Sequence, residues 1–148
     1  MKVRAGILLV AAALVSCSAA DAVGCRARFR TAPSWTSSSQ GGAGLLLFSA
    51  PRAATLRVEC AVIPRVLNDQ EFAAHIGEEE PDEAPPLRKF GSFRGRRWIG
   101  PDINKTEWWV TRGRYVIHLT LMLKNQPIQE PLAQEVEEMI HSLVVEEP

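Results

Sequence analysis

The chain has few of the groups that usually carry chemistry. Its three histidines, His75, His118 and His141, stand at no His-x-x-x-His spacing and beside no cysteine pair. No metal site is therefore expected. There is no Gly-x-Ser-x-Gly elbow, phosphate loop or dinucleotide fingerprint, so the common hydrolase and nucleotide readings fall away and no cofactor is implied. The chain reads as a non-enzymatic protein. Charge is balanced at 17 basic against 17 acidic residues, whereas a nucleic-acid partner would want a clearly basic domain. The apolar run at residues 5 to 15 is too short to cross a bilayer as a mature helix.

That run follows Lys2 and Arg4 and ends in Leu14-Val15-Ser16-Cys17. A basic start, an apolar centre and a small residue before cysteine resemble the lipobox of bacterial lipoproteins. The resemblance implies a signal peptide over 1–16, a diacylglyceryl group on Cys17 and an acylated amine. Two or more chains hold a protein on a membrane stably, where a single one is marginal. Ser18 after the cysteine, rather than an acidic residue, leans toward an outer-membrane anchor facing the periplasm. Ordinary cleavage near Ser18-Ala19-Ala20 is the alternative. Loss of Lys2 and Arg4 leaves 15 basic against 17 acidic residues, net −2.

Export changes the meaning of the remaining cysteines. With Cys17 lipidated, Cys25 and Cys60 form an even pair in an oxidising compartment. Cys25 shares a face with Ala27 and Phe29, between arginines, and Cys60 shares one with Leu56, Val58 and Val62. Both thiols point to an apolar face, as a bridge or as two unpaired core thiols. A bridge would stabilise by about 4 kcal/mol in the chain-entropy picture.

The strongest strand signal is Arg114 to Lys124. Tyr115, Ile117, Leu119, Leu121 and Leu123 fall on one face, and Val116, His118, Thr120 and Met122 on a semi-polar one. Further strands are expected at 26–31, 45–49, 55–63, 87–93, 96–99 and 106–111, with a flexible Ser/Gly loop over 36–44 and a hairpin turn at Arg112-Gly113. Asn68 and Glu71 form a capping box for a short helix that Gly77 would stop. Glu78 to Pro86 is an acidic, proline-rich loop. A closing helix starts near Pro131 and repeats Leu132, Val136, Met139, Ile140 and Leu143 at helical spacing. The prediction is an α+β domain: an antiparallel sheet of about six strands with helices packed on it. Its bounds are a lipidated tether over 17–25 and one domain over 26–148.

Several patterns resemble the PsbP-like domains. They are Phe29 running into Pro33-Ser34-Trp35, the stretch Phe93-Arg94-Gly95-Arg96-Arg97-Trp98, the pair Trp108–Val110 and Tyr115–Thr120, and the closing Ile140-His141-Ser142-Leu143. The resemblance spans residues 26 to 145. It implies an α/β/α sandwich used as a binding or assembly module, and it lends no catalytic residue. Trp98, Trp108 and Trp109, with Arg97, Arg112 and Arg114, are the candidate protein-binding residues, since Trp and Arg are enriched at interaction hot spots. Adjacent Trp108 and Trp109 must leave a strand on opposite faces; one packs under a helix or stands exposed beside arginines. The expected function is an envelope-anchored binding module with a protein partner. A small-molecule or ion-binding lipoprotein with a pocket beside the sheet is the second reading.

Overall fold

A computed structural model of the protein describes residues 23–39, 44–76 and 86–146. The expected signal peptide, Cys17, the first part of the expected tether, the centre of the expected Ser/Gly loop, Gly77 and most of the expected acidic loop lie outside the described residues. The strands are β1 (Val23–Gly24), β2 (Arg26–Arg28), β3 (Trp35–Ser39), β4 (Gly44–Ser49) and β5 (Ala54–Val62). After helix α1 (Asp69–Ile76) come β6 (Arg88–Phe90), β7 (Phe93–Trp98), β8 (Lys105–Arg112) and β9 (Tyr115–Leu123). Helix α2 (Glu130–His141) and β10 (Val144–Glu146) close the chain.

The expected α+β class with an antiparallel sheet holds. Seven strands run in the order β3-β4-β5-β9-β8-β7-β6, β1 pairs beside them on β5, and β10 pairs with β2 in a separate ribbon. This exceeds the six or so strands expected. The central strand is β9, where Ile117, Leu119 and Leu121 are fully buried. Its register against β5 and β8 fixes every neighbour, because a slip by one residue would turn this row to the other face.

Helix α2 covers that apolar face with Leu132, Ala133, Val136, Met139 and Ile140, all buried. Burial of side chains of this size stabilises by about 2 kcal/mol each before chain entropy is counted. Three glutamates pin the helix to the sheet. Glu135 accepts from the Trp35 indole at 2.6 Å and from Arg52 at 2.7 and 2.9 Å. Glu137 accepts from the Trp108 indole at 2.9 Å and from Arg88 at 2.7 Å, and Glu130 accepts two bonds from Arg97. These indoles are buried at one end and satisfied at the other, as buried tryptophans require.

The short helix α1 sits over one end of the opposite face, where Phe72 packs with Ile63 and Val116. Its capping box forms as expected: Asn68 Oδ1 accepts from the Glu71 amide at 2.8 Å and Glu71 accepts from the Asn68 amide at 3.0 Å. The Arg65 guanidinium and the Asn68 amide together lower the Glu71 pKa to about 2. Cys25 and Cys60 are bridged, with Cα atoms 5.3 Å apart, and tie the N-terminal segment to β5 across 35 residues.

Four expectations need correction. Residues 36–39 are not part of a flexible loop; with Trp35 they form β3, because Trp35 is buried against the core and its neighbours pair with β4. The turn between β6 and β7 lies at Gly91-Ser92, inside the stretch 87–93 expected as one strand, and β7 runs unbroken through the expected gap at 94–95. Gly95 sits inside β7 because a Cβ there would lie 1.9 Å from the Trp109 carbonyl oxygen. The hairpin turn before β9 is Gly113-Arg114, so Arg112 belongs to β8. Finally, β10 follows the closing helix and pairs with β2, and Val23 and Gly24 pair with Val62 and Ala61, so sheet structure begins ahead of residue 26.

Candidate functional site

The face of the sheet away from α2 is built in rows by strand register. The row nearest α1 holds Ala61, Val116, Thr111 and Arg94. Arg94 reaches up to the Leu67 carbonyl and to Asp69. The next row is Glu59, His118, Trp109 and Arg96. Then come Leu46, Arg57, Thr120, Glu107 and Trp98, and last Phe48, Thr55, Met122 and Lys105. Helix α1 covers the first row. Phe48 and Met122 in the last stand 56% and 46% exposed.

His118 is the hub of this face. Its Nε2 lies 2.6 Å from Glu107 Oε1 and its Nδ1 lies 3.4 Å from Glu59 Oε1. The Trp109 indole stacks on the imidazole with centroids 3.9 Å apart and planes 11° from parallel. Burial disfavours a charged imidazole here. Hydrogen bonds that the ring donates to Glu107 and Glu59, and the charges of these carboxylates, outweigh it and raise the His118 pKa. The hydrogen bond to His118 likewise holds Glu59 and Glu107 below the usual carboxylate range. Lys105 and Arg57 flank the two glutamates at 3.6 and 3.8 Å.

This arrangement decides what the cluster does chemically. An imidazolium gives one N–H to each carboxylate and keeps no lone pair for a proton or a metal. It therefore serves as an ionic cross-brace across β5, β9 and β8. Among the described residues no group of three or more His, Cys, Asp or Glu side chains is placed to hold a metal ion.

The six residues singled out by composition do not share one surface. Trp108 is fully buried under α2, and Arg97 lies at 5.8 Å over its ring while bonding Glu130. Trp109 is on the opposite face, half-buried against His118 and the α1 cluster. Trp98 borders the exposed rows of that same face. Arg112 and Arg114 are exposed at the β8–β9 hairpin. Sequence reasoning passed over Glu59, Glu107 and the role of His118. The available signal was an ionisable residue at a polar position of each of three otherwise apolar strands.

Neither a family profile nor a curated protein matches the sequence. A crystal structure of a Bacteroides thetaiotaomicron protein is similar in fold, with a TM-score of 0.59 at 12% identity over 82% of this chain. The chain spans 45% of that protein's chain. At such identity the likeness shows the fold alone.

Proposed function

We propose that this protein is a lipid-anchored, non-enzymatic binding module of the bacterial cell envelope, PsbP-like in its sandwich of helices about a sheet, which takes up a protein partner on the open sheet face. The anchor is Cys17, on the periplasmic side of the outer membrane. The observation that carries the recognition half is the row Phe48–Thr55–Met122–Lys105. No described element crosses it, and two of its large apolar side chains face solvent on a rigid sheet. Aromatic and methionine side chains beside charged groups are the mix found at protein interfaces. The His118 brace ties β5, β9 and β8 together beside this row.

Two measurements test the reading. Globomycin should block precursor processing, and labelled palmitate should be lost on Cys17→Ala; unchanged processing removes the anchor. Phe48→Asp with Met122→Glu should abolish partner capture from detergent-solubilised envelopes while the melting temperature stays within a few degrees. Capture that survives the double substitution removes the open face as the binding surface.

A further inference from the structure

The tether and the sheet meet at one end, and among the described residues three exposed cations at that end have no carboxylate partner. β1 runs antiparallel to β5, with Val23 opposite Val62 and Gly24 opposite Ala61. Read toward the N-terminus, the described part of β1 ends at Val23, opposite Val62 and next to Ile63. The Ile63 amide bonds the Arg114 carbonyl at 2.8 Å, so the β8–β9 hairpin tip stands beside the exit. Val23, Val62, Tyr115 and Arg112 share one row of the sheet. Three strand spacings put the Val23 and Arg112 backbones about 14 Å apart. The following row runs from Gly24 through Ala61, Val116, Thr111 and Arg94 to Lys89. Lys89, Arg112 and Arg114 are exposed, and among the described residues none has a carboxylate partner. Val66, 59% exposed, adds an apolar side chain on the segment that follows β5.

We propose that this basic end, built from Arg112 and Arg114 at the hairpin beside β1 and from Lys89 five strand spacings, about 24 Å, along the same end of the sheet, docks on the anionic phospholipid headgroups of the membrane that holds the anchor. The proposal rests on the reading of Cys17 as the lipidated residue. Residues 18 to 22 separate that cysteine from Val23, and the six steps between the two reach only about 20 Å even when fully extended. The end of the sheet nearest the tether is thus held within a short distance of the bilayer. Cations there lie within range of a negative surface, whose pull falls off over roughly 10 Å at ordinary salt. Docking at this end would stand the strands away from the membrane and leave the Phe48–Met122 row facing a partner.

The test uses the mature chain, residues 17–148, carrying Cys17→Ser so that no lipid contributes. It is sedimented with vesicles of phosphatidylcholine alone or with one third phosphatidylglycerol. The anionic vesicles should bind it tens of times more tightly, and the gain should vanish at high salt. Arg112→Glu with Arg114→Glu should remove most of that gain. Lys89→Gln should remove about fivefold, the weight of one charge near such a surface, and Lys124→Glu at the far end of β9 should leave it unchanged. Equal partition to both vesicles overturns the proposal. So does binding that emerges only when the glutamates of the 78–83 run are replaced by glutamine, which would make this chain's own acidic run the occupant. A chain that is lipidated at Cys17 yet ignores anionic vesicles loses the docking and keeps the anchor. A chain that binds them but is never acylated loses the anchor.

Discussion

The two faces of the sheet are built from alternate residues of the same strands, yet they do different work. Under α2, Leu56, Val58, Trp108, Val110, Ile117 and Leu119 are excluded from water; the indoles of Trp35 and Trp108 and the guanidiniums of Arg52 and Arg97 are each met by a helix glutamate, and the buried hydroxyls of Ser49 and Thr106 are hydrogen-bonded within the sheet and its loops. On the other face the centre is an ionic brace, and the rows beyond it are open. The dry face supplies most of the stability, since buried apolar area outweighs any exposed ion pair. The open face gains stiffness from charge and leaves its apolar side chains available. Consecutive residues of one strand therefore differ in what they contribute: Leu121 belongs to the fold and Met122 to the surface.

Substitutions break this comparison in order of size. Trp108→Ala should be the most damaging, losing about 4–5 kcal/mol through the cavity and the lost indole bond to Glu137, which keeps only Arg88, read from urea unfolding midpoints. A loss below about 1 kcal/mol would mean that α2 does not hold the core. Cys25→Ser with Cys60→Ser should lose about 3–4 kcal/mol and leave the native fold intact, as the closed loop mainly restricts the unfolded chain. His118→Leu should lose about 2–3 kcal/mol, because two carboxylates would face an apolar side chain. Phe48→Ser should change stability by less than about 0.5 kcal/mol. A larger loss would place Phe48 in the core rather than on the surface.

Acidity sharpens the same contrast. The His118 pKa is raised above its ordinary 6.5, so its share of stability is full below that value and is lost as pH rises through the higher folded one. The Glu59 and Glu107 pKa values are depressed from 4.5, so their share is present above that value and is lost as pH falls through the lower folded ones. The brace should thus be strongest between about 4.5 and 6.5. Thermal melts of wild type and His118→Leu across pH 4 to 9 should converge on the alkaline side. Parallel curves throughout would show that folding does not raise the His118 pKa.

Local pattern made much of the fold legible. The period-two run of β9, the helical spacing of Leu132, Val136, Met139 and Ile140 and the capping box of Asn68 and Glu71 each follow from neighbours in sequence, and each is found, though the helix ends at His141 and Leu143 is buried just beyond it. The bridge between Cys25 and Cys60 was readable because both sit at apolar-face positions. What escaped depends on long-range contact. β3 is a strand only because β4 pairs with it, and Ser-rich sequence carries no such signal. Gly95 looks like a turn until the approach of the Trp109 backbone requires a residue without Cβ. The brace joins positions 59, 107 and 118 through register alone. The tryptophan and arginine cluster was visible as composition, but its division between two faces and a hairpin tip was not.

Photo-crosslinking in living cells tests the division of labour most directly. A photoreactive residue at Met122, on the open face, is compared with one at exposed Gln134 on α2. The account predicts one defined adduct with an envelope protein from position 122 and none from 134. Adducts from 134 alone, or from both positions alike, would contradict it.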